Sequence, residues 1–211
     1  MSTYEDKITA YIGEAAGGDI AYTQTQVSDW LTEGARDILN QVSNKYLRVI
    51  STKSSAIENS SGSAIKNAKV LSVDRNNGSR KYPCRRILPE YSDRAGNVND
   101  MLYAMPTDPC FYIQDGKLYI LPNPTSVYKG YYHYVAYPVI VYGDSPGSYN
   151  SSDLFPEEFE PLLTKYAVIQ IKQREATLLR RNAEDELGKL AFVETKELQE
   201  QYDKILSKYM K

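Results

Sequence analysis

The chain has 211 residues, of which 42% are hydrophobic and 25% charged, with a net charge of −2. That length suits one domain, or one domain carrying a large insertion, and the composition is too apolar for wholesale disorder. The balanced charge exerts no global pull toward nucleic acid or membrane. No apolar run approaches the roughly 20 residues of a spanning helix, and Met1–Lys7 lacks the basic-then-apolar order of a signal peptide.

In chain order, Glu5–Gly13 sets Ile8, Tyr11 and Ile12 on one side, which predicts a short helix stopped at Gly13 and broken by Gly17-Gly18. A stronger helix follows. Thr23 and Gln26 form a capping box and Tyr22 is placed to staple onto Val27. Val27, Trp30, Leu31, Ile38, Leu39, Val42 and Tyr46 then recur at helical spacing over 24–46. Gly34 inside that stripe costs about 1 kcal/mol against Ala, so a second helix is expected to approach closely there.

From Leu47 to Tyr142 the pattern changes to strands and turns. Leu47–Thr52 is a predicted strand, and Ser54–Asn67, rich in Ser and Asn, a loop. Ala68–Asp74 and Arg80–Leu88 flank Asn76-Asn77-Gly78, which favours a primed hairpin turn. Tyr91–Pro109 reads as irregular. Phe111–Gln114 and Lys117–Leu121 flank Asp115-Gly116, the strongest hairpin signal in the chain, and Pro122 and Pro124 end that strand. Gly130–Val141 is the longest predicted strand, with Tyr132, Tyr134 and Ala136 on one side and Tyr131, His133, Val135 and Tyr137 on the other.

Gly143–Ser152 reads as a linker. Pro156 suits a first helical turn, with Glu157, Glu158 and Glu160 at the positive end of the dipole. Pro161 leaves two readings open: a separate short turn before it, or a helix that starts there. Phe159, Leu162, Leu163, Tyr166, Ala167, Ile169 and Gln170 form the predicted buried face, and a last helix, 184–210, carries Leu187, Ala191, Leu198, Tyr202, Ile205 and Tyr209 on one side.

Catalytic chemistry has little to stand on. His133, the single histidine, lies in the Tyr-rich strand with no His, Cys or Asp at metal-ligand spacing. Cys84 and Cys110 form no Cys-x-x-Cys pair and fit free thiols in a reducing compartment, with a disulfide between strands as the alternative. Phosphate-loop, nucleophile-elbow and dinucleotide motifs are missing. We therefore expect no catalytic, cofactor or metal residues. Two features point to contacts instead. The chain has 19 Tyr against 4 Phe and 1 Trp, a bias that suits surfaces buried on assembly. It makes Tyr119, Tyr131, Tyr132, Tyr134, Tyr137 and the Asp115-Gly116 hairpin interface candidates. The basic cluster Arg75, Arg80, Lys81, Arg85 and Arg86 is either one phosphate-contacting face of a hairpin or a solvated edge guarded against aggregation.

Three segments carry a family resemblance: Asp108-Pro109-Cys110-Phe111-Tyr112-Ile113 with Asp115-Gly116-Lys117-Leu118-Tyr119-Ile120-Leu121-Pro122-Asn123-Pro124; Tyr134-Val135-Ala136-Tyr137-Pro138; and Phe155-Pro156-Glu157-Glu158-Phe159 with Leu162-Leu163 and Tyr166-Ala167. Together they resemble the head-to-tail adaptor (connector or neck ring) proteins of tailed bacteriophages over roughly the C-terminal half of the chain. The resemblance implies a helical core with a β insertion and no catalytic residues. It further implies a homo-oligomeric ring, a dodecamer, that binds a portal protein on one side and a tail or second ring protein on the other. Double-stranded DNA would pass through it without sequence preference, and the ring would sit in the neck of the virion after assembly in the host cytoplasm, with no membrane involved.

The expected architecture is α+β: a helical bundle from 1–46 and 143–211, with an inserted antiparallel β module at 47–142. Other classes leave different marks. A tail-tube or tail-completion subunit would build a continuous inner barrel from the β module. A DNA-binding regulator or small enzyme needs a basic recognition helix or a pocket of perturbed titratable groups.

Overall fold

The computed structural model describes residues 3–13, 22–65, 67–144, 155–181 and 185–210. The expected break at Gly17-Gly18, most of the expected linker (145–152) and Glu184 lie outside the described residues. The fold is α+β, as expected. In chain order the elements are α1 (Tyr4–Ile12), α2 (Gln24–Gln41), α3 (Asn44–Leu47), β1 (Thr52–Lys53), β2 (Ser63–Ala64), β3 (Ala68–Asn76), β4 (Lys81–Pro83), β5 (Arg85–Arg86), α4 (Ser92–Gly96), β6 (Cys110–Gln114), β7 (Lys117–Leu121), β8 (Gly130–Ala136), α5 (Glu160–Arg181) and α6 (Asp185–Leu206). The chain divides into two compact units, Met1–Ile50 with Tyr137–Lys211, and Ser51–Ala136.

In the first unit α5 packs against α1, α2 and α6. The α2 capping box forms as read: Gln26 N–H donates to Thr23 Oγ1 (3.3 Å) and Thr23 N–H to Gln26 Oε1 (3.0 Å). Val27, Leu31, Ala35, Ile38 and Leu39 are buried, facing a core that includes Leu162, Leu163, Ala167, Val168 and Ile171 of α5. Gly34 is the expected point of close approach, with the Tyr166 ring lying where a Cβ would go.

Several expectations for this unit need correction. Helix α2 stops at Gln41 instead of running to Tyr46, because Val42 turns extended and the Ser43 N–H donates to Tyr209 O (2.9 Å). The predicted strand Leu47–Thr52 is instead the end of α3 followed by a 3₁₀ turn, Arg48–Ile50; only Thr52 enters a strand. Trp30 is half-buried. In α1 the buried partner of Ile8 is Tyr4, while Tyr11 is exposed. The Pro161 question resolves as a separate 3₁₀ turn, Glu157–Phe159, after which α5 begins at Glu160. On α6 Leu187 is exposed, and the buried positions are Gly188, Thr195, Tyr202 and Leu206.

The second unit is two four-stranded sheets, ordered β1-β8-β3-β4 and β2-β7-β6-β5. All pairings are antiparallel except β5 with β6. The chain changes sheet at Cys84: its N–H donates to Val73 O (2.7 Å), and the next N–H, of Arg85, donates to Pro109 O (3.0 Å). Val73 and Tyr132 from one sheet join Phe111, Leu118 and Ile120 from the other, with Ile57, in a single apolar core. Pairing of Cys110 with Leu121 and Phe111 with Ile120 sends alternate residues to opposite faces. Phe111 and Ile120 therefore enter that core. Cys110 and Leu121 meet Ala95 and Ala104 in a second, smaller cluster.

The Asp115-Gly116 hairpin is as read. Asp115 and Gly116 have φ of 51° and 69°, the pair of positive values that a primed two-residue turn requires. At Asn76-Asn77-Gly78 a tight hairpin forms: Asn77 N–H donates to Arg80 O (3.0 Å) and Gly78 has φ of 94°. Strands β3 and β4 are joined by residues 77–80, and Asn77 Oδ1 accepts from Arg80 N–H (3.0 Å). Ser54–Asn67, expected as a loop, contributes β2 and the buried Ile57.

The long strand predicted over Gly130–Val141 ends at Ala136. Beyond it Pro138 has no N–H to give a ladder, and the backbone of 140–142 bonds to α2 side chains. Ile140 N–H donates to Thr32 Oγ1 (3.1 Å) and Tyr142 N–H to Ser28 Oγ (3.0 Å). Tyr142 O and Asp144 O in turn accept the N–H groups of Glu5 and Tyr4, both at 3.0 Å, at the start of α1.

Candidate functional site

The titratable groups singled out from the sequence do not converge. His133 Nε2 lies 4.0 Å from Asp74 Oδ2 on neighbouring strands, with both side chains partly exposed. Cys84 and Cys110 are free thiols. Burial, reinforced by Asp74 and Cys110, pushes the Cys84 thiol up to about 12, which keeps it protonated and a poor nucleophile near neutrality. Burial also raises Cys110. Among the described residues no group of three or more His, Cys, Asp and Glu could hold a metal ion, and no helix is long and apolar enough to cross a membrane.

The basic cluster is dispersed. Arg75 is 3% exposed: it faces inward on β3, its Nε donating to Pro122 O (2.9 Å) and its guanidinium lying 5.5 Å from the Tyr128 ring centre. It forms no ion pair among the described residues. Burial alone favours the neutral form of Arg75, and the remaining influences, from Cys84 and Tyr128, work the other way. Arg85 pairs with Asp108 (3.2 Å) and donates to Leu102 O (2.7 Å). Arg80, Lys81 and Arg86 are exposed, but Lys81 borders one sheet and Arg86 the other. The alternation read from sequence assumed one continuous hairpin arm. The crossover at Cys84 breaks it.

The tyrosine set divides in the same way. Tyr132 is 7% exposed inside the core, its hydroxyl donating to Ala64 O (3.4 Å), and Tyr134 packs against the same cluster. Tyr132 is closed off from solvent, whereas Tyr134 is half-buried. Tyr119 stacks on Tyr112, its partner across the β6–β7 pair, at 5.0 Å between ring centres. Tyr131 is half-buried with Lys53 Nζ 3.9 Å from its ring centre. Tyr137 belongs to the helical unit, where its hydroxyl donates to Asn40 Oδ1 and Arg36 lies 5.0 Å from its ring centre. Asp115 and Gly116 are exposed at their hairpin tip.

The structure places apolar side chains on two surfaces not read from the sequence. On the first half of α6, Leu187, Leu190, Phe192 and Val193 are each more than half exposed. The apolar run Leu190–Val193 was the signal for it, since four consecutive positions cannot all face one side of a helix. In the β unit, a groove of about 550 Å³ beside β5 is lined by Ile87, Leu88, Tyr91, Met101 and Leu102, together with Arg86 and Arg94. Compared with known protein families and with curated proteins, the sequence matches none.

Proposed function

We propose that the chain is a non-catalytic structural subunit of a phage head-to-tail neck. In this reading the N- and C-terminal helices are the bundle, and residues 51–136 the antiparallel β module inserted into it. Copies associate into a closed ring between a portal protein and a tail or second ring protein, with the genome passing through.

The observation that carries it is the outer face of α6. Monomeric proteins seldom leave contiguous large apolar side chains in water, and when they do the patch is usually a binding surface. Leu187, Leu190 and Val193, spaced at i, i+3 and i+6, form such a stripe, while Phe192 lies toward α5 with Arg180 5.1 Å from its ring centre, and the same helix buries Thr195 and Tyr202 against the rest of its own unit. Contact with DNA would fall to exposed cations such as Arg80 and Lys81, and would be phosphate-directed and salt-sensitive, as suits a duplex that must slide. Arg75, being buried, has no part in it.

The test is the mass and symmetry of the purified protein, alone and mixed with its portal, by native mass spectrometry and electron microscopy. The expected result is a closed ring that Leu190→Glu or Val193→Ser prevents without loss of helix content. A monomer under every condition, with and without portal, overturns the reading.

A further inference from the structure

The groove beside β5 has a second property besides its apolar lining: it runs along an open sheet edge. In a parallel ladder alternate residues bond to the neighbouring strand. Arg85 and Ile87 donate to Pro109 O (3.0 Å) and Phe111 O (2.9 Å). The N–H and C=O of Arg86, between them, therefore face away from β6, and β5 is the outer strand of its sheet. Leu88 is still extended (φ −77°, ψ 148°), so its N–H repeats the outward direction of Arg86. Three backbone groups are thus aligned to receive an added strand, directly beside the groove.

The lining specifies what that strand carries. Leu88 is 57% exposed and Met101 100% exposed, and an unbranched thioether adapts to varied apolar partners. Two guanidinium groups line the groove, and among the described residues no carboxylate does. Arg94 is held by Asp100 (2.9 and 3.3 Å), whereas Arg86 has no ion-pair partner among the described residues. We propose that this edge binds an extended segment of another protein by strand addition, with a large apolar side chain in the groove and a carboxylate on Arg86. A second copy of this chain is the poorer occupant. None of the outer strands β1, β2, β4 and β5 carries a carboxylate: β1, β4 and β5 would set Lys53, Lys81 or Arg86 against Arg86, and β2, Ser63–Ala64, offers it no opposite charge.

The experiment titrates the isotope-labelled full chain with a synthetic peptide, acetyl-Thr-Leu-Asp-Leu-Asp-Thr-amide, and with its counterpart in which lysine replaces aspartate. The acidic peptide should shift the Arg86 and Leu88 amides saturably and slow their hydrogen exchange. The lysine peptide should bind about tenfold more weakly or worse, the equivalent of about 1.4 kcal/mol. Met101→Ser, at a fully exposed position, should weaken binding and leave the remaining spectrum unchanged, and Arg86→Glu should reverse the preference between the two peptides. The proposal is overturned by equal binding of both peptides, by shifts without exchange protection at Arg86 and Leu88, or by no saturable binding near 1 mM, on the order of the weakest specific complexes. It is also overturned if the same amides shift with protein concentration alone, since copies of the chain would then occupy the edge. None of these outcomes bears on the α6 face or on ring formation.

Discussion

Gly34→Ala sets two quantities of known size against each other. In an unpacked helix the substitution stabilises by about 1 kcal/mol, because glycine loses more backbone freedom on folding. Here a Cβ would lie 2.5 Å from Tyr166 Cδ1, 2.9 Å from Cγ and 3.1 Å from Cε1, whereas carbon atoms rest about 3.5–4.0 Å apart. The ring would have to retreat by about 1 Å, and it is backed by Tyr202, ring centres 6.1 Å apart, itself 3% exposed. Forced repacking of this kind costs about 1–3 kcal/mol. The expected net effect is destabilisation by up to about 2 kcal/mol, the clash offsetting or exceeding the propensity gain. The assay is urea unfolding followed by fluorescence of Trp30, the single tryptophan, which sits on the same helix. In a Tyr166→Ala background the sign should invert, Gly34→Ala now stabilising by about 1 kcal/mol, so that the double-mutant cycle isolates the clash. If Gly34→Ala stabilises the parent chain by that amount, the close approach of α2 and α5 is wrong.

Tyr132→Ser should destabilise the β unit by about 3–4 kcal/mol, in the range of large core truncations, seen as collapse of its amide chemical-shift dispersion; a folded variant would return Tyr132 to the surface. Thr23→Ala removes one partner of the α2 capping box and should cost about 1 kcal/mol in the same Trp30 unfolding curve; no change would mean the box contributes nothing. Cys84 has a thiol pushed up to about 12 against an ordinary 9.0, so the folded state favours the protonated form. Its contribution to stability is full below pH 9 and is lost as pH rises toward 12. Iodoacetamide at pH 8 should label Cys84 only after unfolding, and rapid labelling of the native chain would contradict the burial.

What the sequence made legible was local. The Thr23–Gln26 capping box, the Gly13 stop with φ of 88°, the Asp115-Gly116 turn and the Gly34 contact each rest on a few adjacent residues whose chemistry dictates one geometry. The errors lie where a distant partner decided. Residues 137–142 continue the alternation of β8, and nothing within them shows that Thr32 and Ser28, four apart on one face of α2, supply an alternative set of hydrogen bonds. Val42–Ser43 interrupts an apolar stripe that continues in register, because Tyr209 O, near the other end of the chain, takes the Ser43 N–H. Periodicity specifies which face is apolar, but not which backbone groups find their partners elsewhere.

The candidate sites show the same division more sharply. A run such as Arg80–Arg86 has a one-dimensional charge pattern, and reading it as a face assumes that the strand stays in one sheet. Cys84 N–H bonds to Val73 in the first sheet and Arg85 N–H to Pro109 in the second, so two successive residues belong to different layers. The side-chain alternation restarts between them. Arg75 turns inward by the alternation of β3, two residues from the buried Val73, whereas the crossover ties Arg85 to Asp108 and leaves Arg86 on an outer edge, its N–H and C=O turned away from β6. The same five residues become a buried cation, an ion pair, two solvated groups and an edge cation beside an apolar groove. Their roles follow from the pairing of β3, β4 and β5, which the count of positive charges does not contain.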